Sequence, residues 1–333
     1  MDKIVVFGAT GNIGVYFVDY LQKNVDHIKF SVVAVGRKKT AFFENQGVEY
    51  VNVDIRNKDD FERLPQENVY AVVNLAGILP AYSKDVDYFT YIDTNITGGI
   101  RILEYARKCG ADRVLYSQTW AEQGGYWGER DVLSPEYPRK LIYKGDHAFY
   151  AICKTTVVEA MEHYKQEFGL KNFVFVLPNV YLYHPDTFYF ADGKKKLIAY
   201  RYLIERAIKG EPVELWGNPE AFKDILYIKD LCQMMYKALL TDVEGGKYNA
   251  GTGVRTTLRE QIEGIIDVFS VAGKKSEIIM NPSGDTFTSF VMDIENAKRD
   301  LGYIPEYTYR EYLIDYKKER ELKRFDALWT GKE

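Results

Sequence analysis

Ile4-Val5-Val6-Phe7-Gly8-Ala9-Thr10-Gly11-Asn12-Ile13-Gly14 is the stretch on which the fold turns. A short β-branched run passes directly into three spaced glycines and then into an apolar pattern of helical period through Lys23. Glycines at such a turn let the backbone approach a pyrophosphate, and the free N–H groups and positive dipole end of the following helix hold its phosphates. A glycine pattern alone is weak evidence, but one lodged between strand and helix is strong. Gly8, Thr10, Gly11, Asn12, Ile13 and Gly14 are therefore expected to contact a dinucleotide.

Outward from this loop, apolar runs over 4–7, 31–35, 49–53, 71–75, 114–116 and 173–177 alternate with helical patterns over 13–23, 87–109 and 148–168. That rhythm predicts a Rossmann-type α/β domain over 1–178, a doubly wound parallel sheet covered by helices on both faces. Beyond Pro178 the rhythm breaks into short pieces with helices near 200–209, 231–240 and 258–269. Residues 179–333 are expected to form a smaller mixed α/β substrate-binding unit, with parts of it free to return to the sheet. The charged stretch 309–324 reads as a solvated helix face.

The 333 residues are 46% hydrophobic and 28% charged, which suits a large packed core and excludes a disordered tail. Lys+Arg 44 against Asp+Glu 48 leaves a net charge of −4, so no overall basic field draws nucleic acid or an anionic membrane. Cys109, Cys153 and Cys232 lie far apart without zinc spacing, so no metal is expected and a reducing compartment is. No apolar run has the length of a signal peptide or a membrane span, and the expectation is a cytoplasmic protein.

Two positions bear on the dinucleotide. An NAD site usually has an acid near the end of strand two for the ribose 2′-hydroxyl; here that place reads Val35-Gly36-Arg37-Lys38-Lys39. Arg37 and Lys38 suit a 2′-phosphate, favouring NADP(H) within an NAD(P) assignment, the alternative being a solvated basic turn. Asp54, followed by Ile55, is placed either to accept from the adenine amino group or to serve as an ordinary turn residue.

Tyr150 and Lys154 are four apart and share a helix face, so the ammonium is expected to lower the phenol pKa and make Tyr150 a general acid and base. Thr119, just past the fifth strand, lies where carboxyl ends of strands meet a ligand crevice.

Taken together, the glycine loop, Asn74-Leu75-Ala76-Gly77, Asn95, Thr119, Tyr150/Lys154, Pro178-Asn179-Val180-Tyr181 and the segment Lys223–Asp230 resemble the extended short-chain dehydrogenase/reductases, the NAD-dependent epimerase/dehydratase family. Lys247–Gly253 and the late Asp293…Pro305 match as well, so the resemblance covers nearly the whole chain. It implies further cofactor contacts at Leu75, Ala76, Gly77, Asn95, Ser117 and Pro178, with Lys154 on the nicotinamide ribose. It also implies that Thr119 polarises the reacting hydroxyl, that Tyr150 exchanges its proton, that Asn179 contacts a nucleotide-sugar substrate, and that a homodimer forms through helices 87–109 and 148–168.

Departures from the family pattern narrow the reaction. Its 4,6-dehydratases follow the threonine with Asp-Glu, whereas this chain has Thr119-Trp120-Ala121, and Glu122 comes one position too late. Trp120 is either a platform for sugar or base or a packing residue. The aromatic and basic stretch 125–149 reads as a lid or as an ordinary surface loop. Lys223 stands where a diphosphate-binding arginine is usual, 284–292 lacks a second arginine, and Lys194–Lys196 or Arg201 are the available replacements. His184 reads as a bystander more readily than as a site residue. The leading expectation is an epimerase of a nucleotide-activated sugar acting at C4 through a keto intermediate. An NADPH-dependent 4-keto-sugar reductase and a non-catalytic dinucleotide sensor are the alternatives.

Overall fold

Seven strands pair side by side, all parallel: β1 (Asp2–Phe7), β2 (Phe30–Gly36), β3 (Glu49–Asn52), β4 (Val69–Asn74), β5 (Arg113–Thr119), β6 (Lys171–Leu177) and β7 (Gly245–Asn249). Their order, β3-β2-β1-β4-β5-β6-β7, is that of the doubly wound Rossmann sheet. This computed structural model describes residues 1–82, 84, 87–191, 193–271, 273–283 and 287–330.

Alternation within the strands builds two cores. Ile4, Val6, Val32, Ala34, Ala71 and Val73 face the helices Asn12–Asn24 and Ile228–Leu240. Val5, Phe7, Val33, Val35, Val72 and Val114 face Gly98–Lys108 and Asp146–Phe168. Such double burial is why these strands read as unbroken apolar runs. The second half returns to this body, giving β7 to the sheet edge, while Phe325 and Trp329 pack on Tyr16 with ring centroids 4.7 and 6.3 Å away.

Two differences from the sequence expectation concern the site. β5 continues beyond its apolar run because Ser117, Gln118 and Thr119 stay in register with Phe175, Val176 and Leu177. The long helix expected over 87–109 is an α-turn (Tyr88–Tyr91), a π-segment (Ile92–Thr97) and an α-helix (Gly98–Lys108). The widened turn carries buried Asn95, whose Oδ1 accepts from Ile78 N at 2.9 Å and whose Nδ2 donates to Ile78 O at 3.1 Å.

The topological switch lies between β1 and β4, and the glycine loop sits on it. Gly8 has φ +80°, and a Cβ there would lie 2.6 Å from the Leu75 carbonyl carbon. A Cβ on Gly14 would lie 2.1 Å from the Gly8 carbonyl oxygen. Gly14→Ala is therefore expected to destabilise the fold by about 1–3 kcal/mol, the usual cost of overpacking. Chemical denaturation reads this directly, and an unchanged midpoint would contradict the close approach.

Candidate active site

Past the carboxyl ends of the strands opens a cleft of about 860 Å³. Of the residues singled out from sequence, Asn12, Ile13, Leu75, Ser117, Thr119, Tyr150, Pro178, Asn179 and Lys223 line it. Gly11 caps the helix Asn12–Asn24, and its N-terminus has no side-chain capping hydrogen bond among the described residues. The loop is folded tightly onto its neighbours: Gly11 N donates to Gly8 O at 2.9 Å and Ala9 N to Val35 O at 3.0 Å. A Cβ on Gly36 would lie 2.9 Å from Thr10 Cγ2, so Thr10 rests on the end of β2. Backbone brought this close and an open helix N-terminus fit a dinucleotide pyrophosphate.

Asn95, Ala76 and Gly77 serve the wall behind that cleft. Ala76 N donates to Asn74 Oδ1 at 3.1 Å, and a Cβ on Gly77 would lie 2.9 Å from Asn95 Oδ1. The Asn95 amide is thus taken by Ile78 and holds the 75–79 loop in place. Ser117 Oγ donates to Asn74 O at 3.4 Å, tying the ends of β4 and β5.

Four of the residues singled out from sequence have protein partners that the sequence does not show. The Asp54 carboxylate is met by Arg56, which donates to it from Nη2 at 2.6 Å and from Nε at 3.0 and 3.2 Å. Those hydrogen bonds hold the Asp54 carboxyl below its usual range. Ile55 is buried, and its carbonyl accepts from Arg101 Nη1 at 3.3 Å. Lys38 turns its ammonium away to the Leu328 carbonyl, while exposed Arg37 remains at the end of β2. Trp120 is packed between Trp127 and Phe290, ring centroids 4.3 and 4.4 Å away, and does not line the cleft.

The possible phosphate-binding cations sort in the same way. Lys223 lines the cleft with its Nζ 3.9 Å from the Phe287 ring centroid, and burial holds its ammonium down to about 8. Arg201 also lines the cleft, but it donates to the carbonyls of Asp186 and Leu182 and to the Tyr200 hydroxyl. Lys194–Lys196 lie on an exposed hairpin strand, and His184 packs against Trp329. Residues 284–286 of the segment lacking a second arginine lie outside the described residues.

Tyr150 and Lys154 share a face of Asp146–Phe168, and both are buried, at 7% and 3% exposure. Burial is the dominant influence on each. It pushes the Tyr150 phenol up, reinforced by Tyr82 and Tyr91, so the expected lowering by Lys154 is not what governs the ligand-free chain. It holds the Lys154 ammonium down to about 7. Lys154 Nζ stands 3.9 Å from the Tyr116 ring centroid and has no hydrogen-bond partner among the described residues. A buried donor aimed at no protein oxygen is what a ribose-binding lysine requires.

Sequence reading passed over Tyr82, Gln118 and His147, which also line the cleft. Tyr82 is drawn in by Asn12 Nδ2, which donates to its hydroxyl at 2.9 Å. No local pattern marks Tyr82; the contact spans 70 residues.

Residues 4–251 match the sequence pattern of the NAD dependent epimerase/dehydratase family. The chain belongs to that family. A Methanocaldococcus jannaschii protein provisionally named a UDP-glucose 4-epimerase is 25% identical over 92% of this chain and 95% of its own length. The dTDP-glucose 4,6-dehydratase of Neisseria meningitidis is 22% identical over 94% and 91%. Among solved structures, the Thermotoga maritima UDP-glucose 4-epimerase with UDP-glucose superposes with a TM-score of 0.75 at 23% identity, covering 96% of this chain and 99% of that one. The Bacillus cereus UDP-glucuronic acid 4-epimerase in complex with NAD gives 0.72 at 21%, covering 95% and 96%. No helix among the described residues is long and apolar enough to cross a membrane.

The unpaired lysine has a measurable consequence. With a folded-state pKa near 7 against 10.5 for the exposed side chain, the unfolded chain binds the extra proton between those values, so stability falls as pH drops from about 10.5 to about 7. Lys154→Met should raise the melting temperature of the ligand-free protein, most at pH 7 and below and not at all near pH 10.5. A gain independent of pH would show that the ammonium is not what costs stability.

Proposed function

We propose that the protein is an NAD(P)-dependent epimerase of a nucleotide-activated sugar, inverting C4 by transient oxidation to a keto sugar. The observation that carries the reading is the cleft shared by Thr119 and Tyr150 at the ends of β5 and the Asp146–Phe168 helix, with unpaired Lys154 one turn beyond. Thr119 holds the substrate hydroxyl through Oγ1. Tyr150 would take the proton of that hydroxyl and later return a proton to the carbonyl oxygen of the keto sugar. The dinucleotide supplies the hydride acceptor and, oxidised, a positive charge that works with the Lys154 ammonium against the burial holding the phenol protonated.

Among the described residues, no second acid and base stands beside Thr119 for dehydration. Trp120 packs away from the cleft, and the Glu122 carboxylate is fully buried between Arg139 and Lys247. Asn179 and Lys223 would then hold the sugar and its phosphates. One observation favours the second reading, a reductase that consumes NADPH: Arg37 is exposed at the end of β2, Gly36 stands where an acid would meet a ribose 2′-hydroxyl, and the nearby Asp54 carboxylate is neutralised by Arg56. The same basic turn leads us to infer that the 2′-phosphorylated dinucleotide is accepted at least as well as NAD.

Tyr150→Phe should lower turnover of UDP-glucose or UDP-galactose by about 10²–10⁴-fold while leaving dinucleotide binding nearly intact. Near wild-type turnover would sink the assignment. Arg37→Ala should weaken NADP binding about tenfold or more, the loss of one charge-assisted pair, and leave NAD binding unchanged; titrations showing equal losses would refute that role.

We further infer a homodimer through the helices over 88–108 and 146–168. They lie against each other at Gly99 and Val157, and Phe89 at the start of the first leaves 76% of its surface exposed. Light scattering should give twice the chain mass, and a monomer at micromolar concentration would contradict it.

A further inference from the structure

Glu122 is the most deeply buried carboxylate near the cleft, at 0% exposure, and the proposed chemistry gives it nothing to do. Two cations hold it: Arg139 Nε stands 3.6 Å from Oε2 and Lys247 Nζ 3.5 Å from Oε1. Oε2 also accepts from Gln118 Nε2 at 3.2 Å. Gln118 is itself 1% exposed, and its orientation is forced: Oε1 accepts from Thr119 N at 2.8 Å, which leaves Nε2 to donate to the carboxylate. The same Nε2 reaches Thr155 Oγ1 at 3.4 Å, on the residue after Lys154. Arg139 makes a second bridge to that helix, donating from Nη1 to Glu159 Oε1 at 2.6 Å.

We propose that Gln118 and Glu122 are positioning residues, Gln118 locking the Thr119 peptide to the helix that carries Tyr150 and Lys154, and Glu122 locking Gln118. Thr119 sits at the end of a strand and Tyr150 on a helix that enters from a separate loop, so their separation is set by whatever ties the two elements together. The tie is a buried amide with three partners, one of them a carboxylate whose charge is met by Arg139 and Lys247. All three partners of the Gln118 amide are protein groups, and a buried amide bonded on both its oxygen and its nitrogen fixes one geometry, although Glu122 Oε1 itself has only the Lys247 ion pair and no hydrogen bond among the described residues. Glu122 touches no substrate; it acts through Gln118.

This inference rests on the reading of Thr119 and Tyr150 as the reacting pair. Gln118→Met keeps the volume and removes the amide; Thr155→Val removes only the hydroxyl and keeps the shape. Steady-state kinetics are measured with whichever of UDP-glucose, UDP-galactose or UDP-glucuronate the wild type converts fastest, beside dinucleotide titration and thermal unfolding. Gln118→Met should lower kcat by about tenfold or more, a misplacement effect, with KM and dinucleotide affinity within about twofold of wild type. Thr155→Val should lower kcat by a smaller factor, and the double variant should lose no more than Gln118→Met alone, because both remove one bridge.

A kcat within twofold of wild type in folded Gln118→Met, with Tyr150→Phe inactive, would overturn the positioning role and leave the catalytic reading standing. Independent, multiplying losses from Gln118→Met and Thr155→Val would also overturn it. If Gln118→Met does not fold, Thr155→Val decides alone, an unchanged kcat counting against the proposal. Activity retained in Tyr150→Phe, or a wild type that converts none of the three sugars, removes the reading beneath it and the proposal with it.

Discussion

The architecture depends on how closely backbone meets backbone where β1 and β4 part. Gly8, Leu75 and Ala76 come together with no space for a side chain, and Gly14 brings the first helix down onto the Gly8 carbonyl. That contact fixes where the helix N-terminus points, and so where a diphosphate can lie. It also brings the ends of β1, β4, β5 and β6 to one crevice, because the chain leaves β1 toward β2 on one side and pairs with β4 on the other. The groups proposed to react are then supplied by strand ends and by the Asp146–Phe168 helix.

Into this crevice the fold places groups that are poor choices for stability. Lys154 is buried with the Tyr116 ring beside its ammonium, which offsets part of the lost hydration, and with no hydrogen-bond partner among the described residues. Tyr150 is buried without a strong base beside it, and its phenol is driven upward. A buried ammonium without an anionic partner costs stability, and a leucine would fill that place at lower cost. Under the proposed function both belong to a site completed by a bound ligand, in which a ribose would take the ammonium and added positive charge would draw the phenol back toward a useful pKa. The Glu122 network differs: its charge is paired and its partners are protein, so it stiffens the site without awaiting anything.

Much of this was legible from the chain. The glycine loop, the alternating rhythm and the Tyr150/Lys154 spacing depend on local geometry, and local geometry is what periodicity reports. The seventh strand was harder, because Gly245–Asn249 has two glycines and little apolar signal; it joins the sheet by backbone pairing to β6. No local pattern marks the partner of Lys38, the Leu328 carbonyl, which lies 290 residues away. Asp54 could have been read better, since Arg56 only two residues on is near enough to claim a carboxylate. Trp120 had two readings in the sequence, and Phe290, which no local pattern links to it, decided for packing. Gln118 gave a faint signal, a polar residue extending an apolar strand, whose meaning appears only when β5 is seen to remain paired through Thr119.

The central claim is that one sugar carbon is oxidised and reduced again without release of the dinucleotide. A nucleotide sugar carrying deuterium at C4 tests it most directly, incubated with the purified protein and no added cofactor and followed by NMR and nicotinamide absorbance together. The account predicts interconversion of the C4 epimers with deuterium kept at C4 and no net change in absorbance. Conversion that requires stoichiometric NADPH, or epimers that appear with the deuterium lost to solvent, would contradict it.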